Sequence, residues 1–409
     1  MSRVVVTGMG VVTPVGQSVR DFFDALVAGR SGIRPVPLDV HPGPSPLVAG
    51  LVDIESVAPS SSVQHRRLDR ASQLALAAAQ QAVDDASLML TEEESFRAGV
   101  YWGTGLGGAT SIEESYRKLY AGDGRVRPTA VVLGMNNAAA AHISIEHELR
   151  GPILNVSTAC SSSASAIGEA FRAIHHGDAD VIVAGGSEAL VTLGNLRAWD
   201  AMKALAHADA SDPSRSCKPF AADRTGIVLG EGAAALVLES VERAERRGAY
   251  VYAELVGYGN AADARGISQP DSAGQVRAVR AALDTARVNP ADVGYLNAHG
   301  TGTRVGDRVE TEAVKTVFGC AAAALPISST KALHGHLMGA AGATELVAAI
   351  CALNEGVVPP TAHLDRPDPD CDLDYVPHSA RDVALDVVMS SSFGFGGMNA
   401  VLVARRYHS

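Results

Sequence analysis

Residues 153–186 read "ILNVSTACSSSASAIGEAFRAIHHGDADVIVAGG", and residues 325–358 read "LPISSTKALHGHLMGAAGATELVAAICALNEGVV". Each begins as an apolar strand, passes a Ser/Thr pair and turns at a residue able to do chemistry: Cys160 in the first, Lys331 in the second. Each then continues as a small-residue helix that ends near a glycine. A second pair of segments repeats in the same way. "FRAGVYWGTGLGG" (96–108) and "DVGYLNAHGTGT" (292–303) are both strands running into a Gly/Thr loop. The chain therefore reads as two similar halves about a pseudo-twofold, divided near "RRGAYVYAELVGYG". We place the halves at residues 1–250 and 251–409. The longer first half carries insertions at 116–137 and 195–220.

Outward from these segments, "RVVVTGMGVV", "AGVYWGTG", "ILNVST", "DVIVAGG" and "GAAALVLESV" read as buried strands. "RRLDRASQLALAAAQQAVDDA" and "SASAIGEAFRAIHHG" read as helices, the latter closed by Gly177. Continuous apolar strands alternating with helices define the α/β class, a sheet covered on both faces. The 409 residues are 47% hydrophobic and 19% charged, a composition that forms a large buried core. A net charge of −11 excludes a general nucleic-acid binder, which needs a basic face. Five cysteines, with no CxxC pair and no Cys/His spacing for zinc, imply reduced thiols in a cytoplasmic protein. The N-terminal residues lack the pattern of a signal peptide, and no run approaches the roughly 20 apolar residues that span a bilayer.

Four motifs carry residues suited to chemistry. Cys160 stands where a strand gives way to a helix, among small side chains that leave its sulfur reachable. A helix N-terminus favours an anion, so the position predicts a lowered thiol pKa; a buried structural cysteine is the competing reading. His299 ends an apolar strand in "NAHGTGT", where glycines allow close backbone approach and Thr301 and Thr303 offer hydroxyls. "STKALHGHLMGAAGATE" holds Lys331, His334, His336 and Glu345. Lys331 and Glu345 suit a buried pair that tunes a site or merely braces the fold. The two histidines lack a third ligand, and we assign no metal. "SSFGFGGMNA" (391–400) places Phe395 between glycines, as a tight turn or a swinging gate. "GTGLGG" (103–108) fits a dinucleotide loop in letters but lacks an acid at the end of a following strand, and we set it aside.

Taken together, "STACSSS", "NAHGTGT", "STKALHGHLMGAAGA" and "FGFGG" resemble the elongating β-ketoacyl-acyl-carrier-protein synthases of the thiolase superfamily. The likeness is to the type II synthases and the type II polyketide ketosynthases, and it runs nearly end to end. It implies a thiolase-like five-layered α-β-α-β-α fold, a dimer and no cofactor. It also implies that Cys160 takes the acyl chain as a thioester, and that His299 and His336 bind the malonyl thioester and stabilise its enolate. Lys331 and Glu345 would support them. The amides of Cys160 and Phe395 would form the oxyanion hole, and Phe395 would gate the site. Thr301, Thr303, Phe393, Gly394 and Gly396 would contact substrate.

The partner implied is an acyl carrier protein with a phosphopantetheine arm. Being acidic, it would dock on basic residues, for which Arg66, Arg67, Arg70, Arg125, Arg127 and Lys203 are the candidates. The second subunit would be an identical chain or a cysteine-less chain-length-factor paralogue. Lys203, where the family often has Arg, Met398, where Thr is frequent, and the additional His334 point to a specialised pathway. A degradative thiolase would need a second cysteine in the C-terminal glycine loop, and an initiating synthase would have Asn in place of His336.

Overall fold

The computed structural model describes residues 2–37, 47–54, 57 and 67–408. Ten strands carry the architecture. In the first half they are β1 (Val4–Val12), β2 (Ala98–Gly103), β3 (Ile153–Val156), β4 (Val181–Glu188) and β5 (Gly232–Ser240). In the second half they are β6 (Ala253–Ala262), β7 (Tyr295–Asn297), β8 (Ile327–Ser328), β9 (Val387–Gly394) and β10 (Met398–Arg405). Their spatial order is β3-β2-β4-β5-β1-β6-β10-β9-β7-β8. Read outward from the centre, both halves have one plan. The first strand pairs antiparallel with the fifth and the fifth antiparallel with the fourth; the fourth, second and third run parallel. The two sheets join where Val4, Val5 and Val6 of β1 pair with Leu255, Glu254 and Ala253 of β6.

Six helices fill the layers: α1 (Arg70–Asp85), α2 (Ala138–Glu146), α3 (Ser162–His176), α4 (Ser272–Ala286), α5 (Arg304–Phe318) and α6 (Ala341–Glu355). α1 and α2 cover the outer face of the first sheet, and α4 and α5 cover the outer face of the second. Between the sheets lie α3 and α6, packed on each other. The result is the five-layered α-β-α-β-α arrangement of the thiolase-like fold. Three apolar cores separate the layers: one around Leu74, Trp102 and Ile143, one around Ile167, Leu346 and Leu402, and one around Leu283, Val314 and Phe318. Gly177 at φ +83° and Gly356 at φ +69° close α3 and α6 in the left-handed region, as helix-ending glycines do.

One expectation needs correction, and one exclusion gains a structural reason. The strand of "ILNVST" is not buried, because β3 lies at the sheet edge with Ile153 48% and Leu154 39% exposed. The "GTGLGG" loop is no phosphate cradle. The N–H groups of Gly105 and Leu106 donate to the buried Glu188 carboxylate at 2.7 and 3.2 Å, which leaves them nothing to offer a phosphate.

Small residues set the spacing of the middle layer. A Cβ on Gly103 would sit 2.3 Å from the Ser163 nitrogen, so only glycine lets the end of β2 abut the start of α3. Gly103→Ala should therefore cost about 1–3 kcal/mol of stability, read as a lower urea midpoint at unchanged slope.

Candidate active site

Cys160 lies on a single turn, Ala159–Ser161, between β3 and α3. Ala159 is held at φ +52°, a left-handed conformation that few non-glycine residues adopt. Short hydroxyls fix this turn. Ser161 donates to the Thr158 carbonyl through its hydroxyl at 2.8 Å and its N–H at 3.2 Å. Ser162 accepts from the Thr158 N–H at 2.9 Å and donates to the Ala159 carbonyl at 2.7 Å. Ser163 accepts the N–H of Ala343 at 2.9 Å, tying the start of α3 to α6 of the other half. The "CSSS" run is thus a set of local clamps.

From the second half come the histidines. His299 follows β7, and its N–H and that of Gly300 each donate to Glu310 at 2.8 Å. Ser391 of β9 donates to the same carboxylate at 2.9 Å. His336 is anchored by its backbone, whose N–H donates to the Val228 carbonyl at 2.7 Å and whose carbonyl accepts from Gly230 at 2.8 Å. The two rings meet edge to face, with centroids 5.3 Å apart and planes at 83°. The Cys160 Sγ and one ring nitrogen from each histidine lie within 4.8 Å of one another. Phe393 borders this trio, its ring 6.1 Å from that of His299.

Electrostatics make the trio a neutral, buried site. Burial and then the Lys331 ammonium hold His299 and His336 well below the ordinary imidazole range, so both are neutral at pH 7. His336 Nδ1 accepts the Met338 N–H at 3.3 Å, so the proton resides on Nε2. That Nε2–H and His299 Nδ1 are both buried without a protein partner among the described residues. With its proton on Nε2, His336 presents a hydrogen-bond donor and not a metal-ligating lone pair at that atom.

Burial pushes the Cys160 thiol up to about 11, against the opposing influence of the Phe395 N–H and of Lys331. The direction is opposite to the lowering expected from the helix start, because desolvation outweighs the Phe395 N–H and Lys331. Lys331 and Glu345 form an ion pair with both side chains fully buried. Burial raises the Glu345 carboxyl, and the lysine opposes that rise.

Gly394 leaves room beside the nucleophile. A Cβ there would sit 3.2 Å from the Cys160 nitrogen and 2.8 Å from the Thr158 oxygen. Gly396 and Gly397, at φ +83° and +69°, make the turn behind Phe395. Thr303 caps α5, accepting from Gly306 at 3.2 Å, and the Thr301 hydroxyl lies 3.2 Å from its own. His334 stands apart from the trio. Its Nδ1 is 2.7 Å from the Gly335 carbonyl and its Nε2 is 3.0 Å from the Thr330 hydroxyl, so both nitrogens are consumed.

The docking candidates divide. Arg67, Arg125, Arg127 and Lys203 are exposed, with Arg127 3.4 Å from Glu114. Arg70 is a correction: it forks onto the buried Glu231 carboxylate at 2.6–2.7 Å and onto the Val52 carbonyl at 2.7 Å, which makes it a brace. Arg66 lies outside the described residues.

Three residues escaped the sequence reading. Glu310 holds the His299 loop. Glu188 joins the halves by accepting from Gly105, Leu106 and Gly339. Asp307 accepts from Phe220 at 2.7 Å and Gly302 at 3.2 Å, tying the 195–220 insertion to the Gly/Thr loop. For Asp307 and Glu310 a signal existed, since acids on the buried stripe of an amphipathic helix need partners.

A five-layered fold with a Cys–His–His trio across its pseudo-twofold defines a condensing enzyme of the thiolase-like class. The chain belongs to the β-ketoacyl synthase family: the family model described as "Beta-ketoacyl synthase, N-terminal domain" matches residues 1–244, and "Beta-ketoacyl synthase, C-terminal domain" matches residues 252–365. The 3-oxoacyl-[acyl-carrier-protein] synthase 2 of Staphylococcus aureus (strain COL) is 41% identical over 411 residues, covering 100% of this chain and 99% of that protein. A type II polyketide ketosynthase solved with its acyl-carrier protein and bound to the hexaketide superimposes at TM-score 0.92 with 32% identity. The ishigamide ketosynthase/chain length factor superimposes at 0.90 with 34% identity; both solved structures match over 100% of each chain.

The raised thiol has a direct consequence. The thiolate fraction grows with pH up to the folded pKa of about 11. Alkylation of Cys160 by iodoacetamide should therefore climb about tenfold per pH unit through pH 9, with no plateau near 7. Lys331→Met should slow it further.

Proposed function

We propose that the chain is the catalytic subunit of an elongating ketosynthase that condenses an acyl group on Cys160 with malonyl-acyl-carrier protein to give 3-oxoacyl-acyl-carrier protein. The observation that carries this reading is two neutral imidazoles with unpartnered ring nitrogens beside one thiol sulfur. The Cys160 sulfur attacks the acyl thioester, and its proton leaves with the phosphopantetheine thiol. The N–H groups of Cys160 and Phe395 receive the oxyanion, where one donor is typically worth about 10²–10³ in rate. Malonyl thioester then binds with its carbonyl oxygen toward His299 and His336. Loss of carbon dioxide leaves the electron pair as an enolate, which those rings stabilise without a base strong enough to remove an α-proton. The enolate carbon attacks the acyl-Cys160 carbonyl, the C–S bond breaks, and the cysteine is regenerated. Lys331 and Glu345 keep the rings neutral and placed, while Thr301, Thr303, Phe393, Gly394 and Gly396 line the approach.

Two functional halves follow in this reading. Residues 1–250 supply the nucleophile and insertions; residues 251–409 supply the histidines and the Phe395 gate. The pathway is fatty-acid-like or type II polyketide elongation in the cytoplasm; no helix among the described residues is long and apolar enough to cross a membrane. The acidic carrier docks on Arg67, Arg125, Arg127 and Lys203, and Arg66, adjacent to Arg67 in the sequence, belongs to the same proposal. Pairing with a second subunit, identical or a cysteine-less chain-length factor, is supported by the exposed apolar edge of β3. Val131, Val132 and Met135, 75%, 56% and 46% exposed, add apolar surface in the first insertion.

Two measurements test this. Cys160→Ala should lose transacylation by at least about 10³-fold yet still release carbon dioxide from malonyl-carrier protein, because the histidines remain. Wild-type protein incubated with acyl-carrier protein should gain the acyl mass on the Cys160 peptide, and a folded protein that gains none rejects the reading. Ile153→Lys with Leu154→Lys should convert the dimer to monomers by sedimentation velocity while far-ultraviolet circular dichroism stays unchanged.

A further inference from the structure

Phe395 does not stand alone at the mouth of the site. Its ring stacks on the Trp199 indole, with centroids 5.6 Å apart and planes at 21°. The two partners are held very differently. Trp199 belongs to the helix Leu193–Ala201, whose Leu196 is fully buried in the apolar cluster that includes Cys160, Leu190 and Met338. Glu113 pins the start of that helix by accepting from the Thr192 hydroxyl and the Gly194 N–H. Phe395, by contrast, precedes two consecutive glycines at positive φ. The indole is the fixed face and the phenyl ring the movable one. The N–H of the same Phe395 acts on the Cys160 thiol, and a Cβ on the adjacent Gly394 would sit 3.2 Å from the Cys160 nitrogen, so ring stacking and the surroundings of the sulfur meet in one residue.

We propose that Trp199 is the latch of the Phe395 gate: stacking holds the gate closed over a free thiol, and acylation of Cys160 releases it. This rests on the acyl-cysteine chemistry proposed above. A thioester sulfur accepts a hydrogen bond poorly, so the Phe395 N–H turns to the acyl oxygen, and the acyl chain occupies apolar space that the closed ring borders. Malonyl access then follows acylation, which suppresses carbon dioxide loss without condensation. Trp199 acts through Phe395 and is a positioning residue, touching no reacting atom. An aromatic pair of this kind shifts a two-state equilibrium by about two- to tenfold.

The chain has two tryptophans, and the other, Trp102, is fully buried with its indole N–H on Ser187 at 3.0 Å. Protein labelled with 5-fluorotryptophan gives two fluorine resonances, assigned with Trp199→Phe. Octanoylation by octanoyl-N-acetylcysteamine should move the Trp199 resonance and leave that of Trp102 in place. An unmoved Trp199 resonance in protein whose mass shows a fully octanoylated Cys160 overturns the latch and leaves the ketosynthase reading standing. Failure to acylate Cys160 at all overturns both. Trp199→Ala should raise malonyl decarboxylation in the absence of an acyl donor by about two- to tenfold and lower the yield of condensation per carbon dioxide released. Trp199→Phe should restore both. A Trp199→Ala protein with normal melting and unchanged uncoupled decarboxylation also refutes the proposal.

Discussion

The rest of the molecule depends on the contact between two helices that have almost no side chains where they meet. A Cβ on Gly342 of α6 would lie 2.8 Å from the Ala164 backbone nitrogen of α3, so the helices approach nearly backbone to backbone. Two members of the Cys–His–His trio sit just before these two helices. Cys160 precedes α3, His336 precedes α6, and Ser163 and Ala343 are joined by a hydrogen bond across the pseudo-twofold. A larger residue at that contact would separate sulfur from imidazole by its own width, and hydrogen bonding between them and a shared substrate falls off within about 1 Å.

Close packing also explains the electrostatics. A site this buried penalises every charge, and the chain answers by keeping its chemistry neutral at rest: a protonated thiol, two uncharged imidazoles and one ion pair. Carboxylates needed to hold the loops, Glu188 and Glu310, are enclosed by backbone N–H groups. Those bonds lower their pKa values against the larger rise from burial. Such a site makes its charges only when substrate brings them. In the proposed reaction the enolate forms against imidazoles that are already in place, which spares reorganisation there.

Much of this was legible in the sequence. The repeat gave the two halves, glycines at 177 and 356 gave the helix ends, and the four motifs gave the trio. What escaped was of one kind. Glu188, Glu310 and Asp307 act on backbone N–H groups far away in sequence, and a carboxylate's partners cannot be read from its neighbours. Arg70 failed as a docking residue for the same reason, since Glu231 lies 161 positions away. The β3 strand looked buried because its letters are apolar, and letters do not say which strand ends a sheet.

The sequence by itself determined the fold class, the family and which side chains to examine as the site, because periodicity and motif are local properties of the chain. Tertiary structure alone decided protonation and access. Whether Cys160 is thiol or thiolate depends on the balance of desolvation against the Phe395 N–H and Lys331. The Phe395 ring rests on an indole 196 positions earlier. Both are sums over groups that only folding brings within a few ångströms.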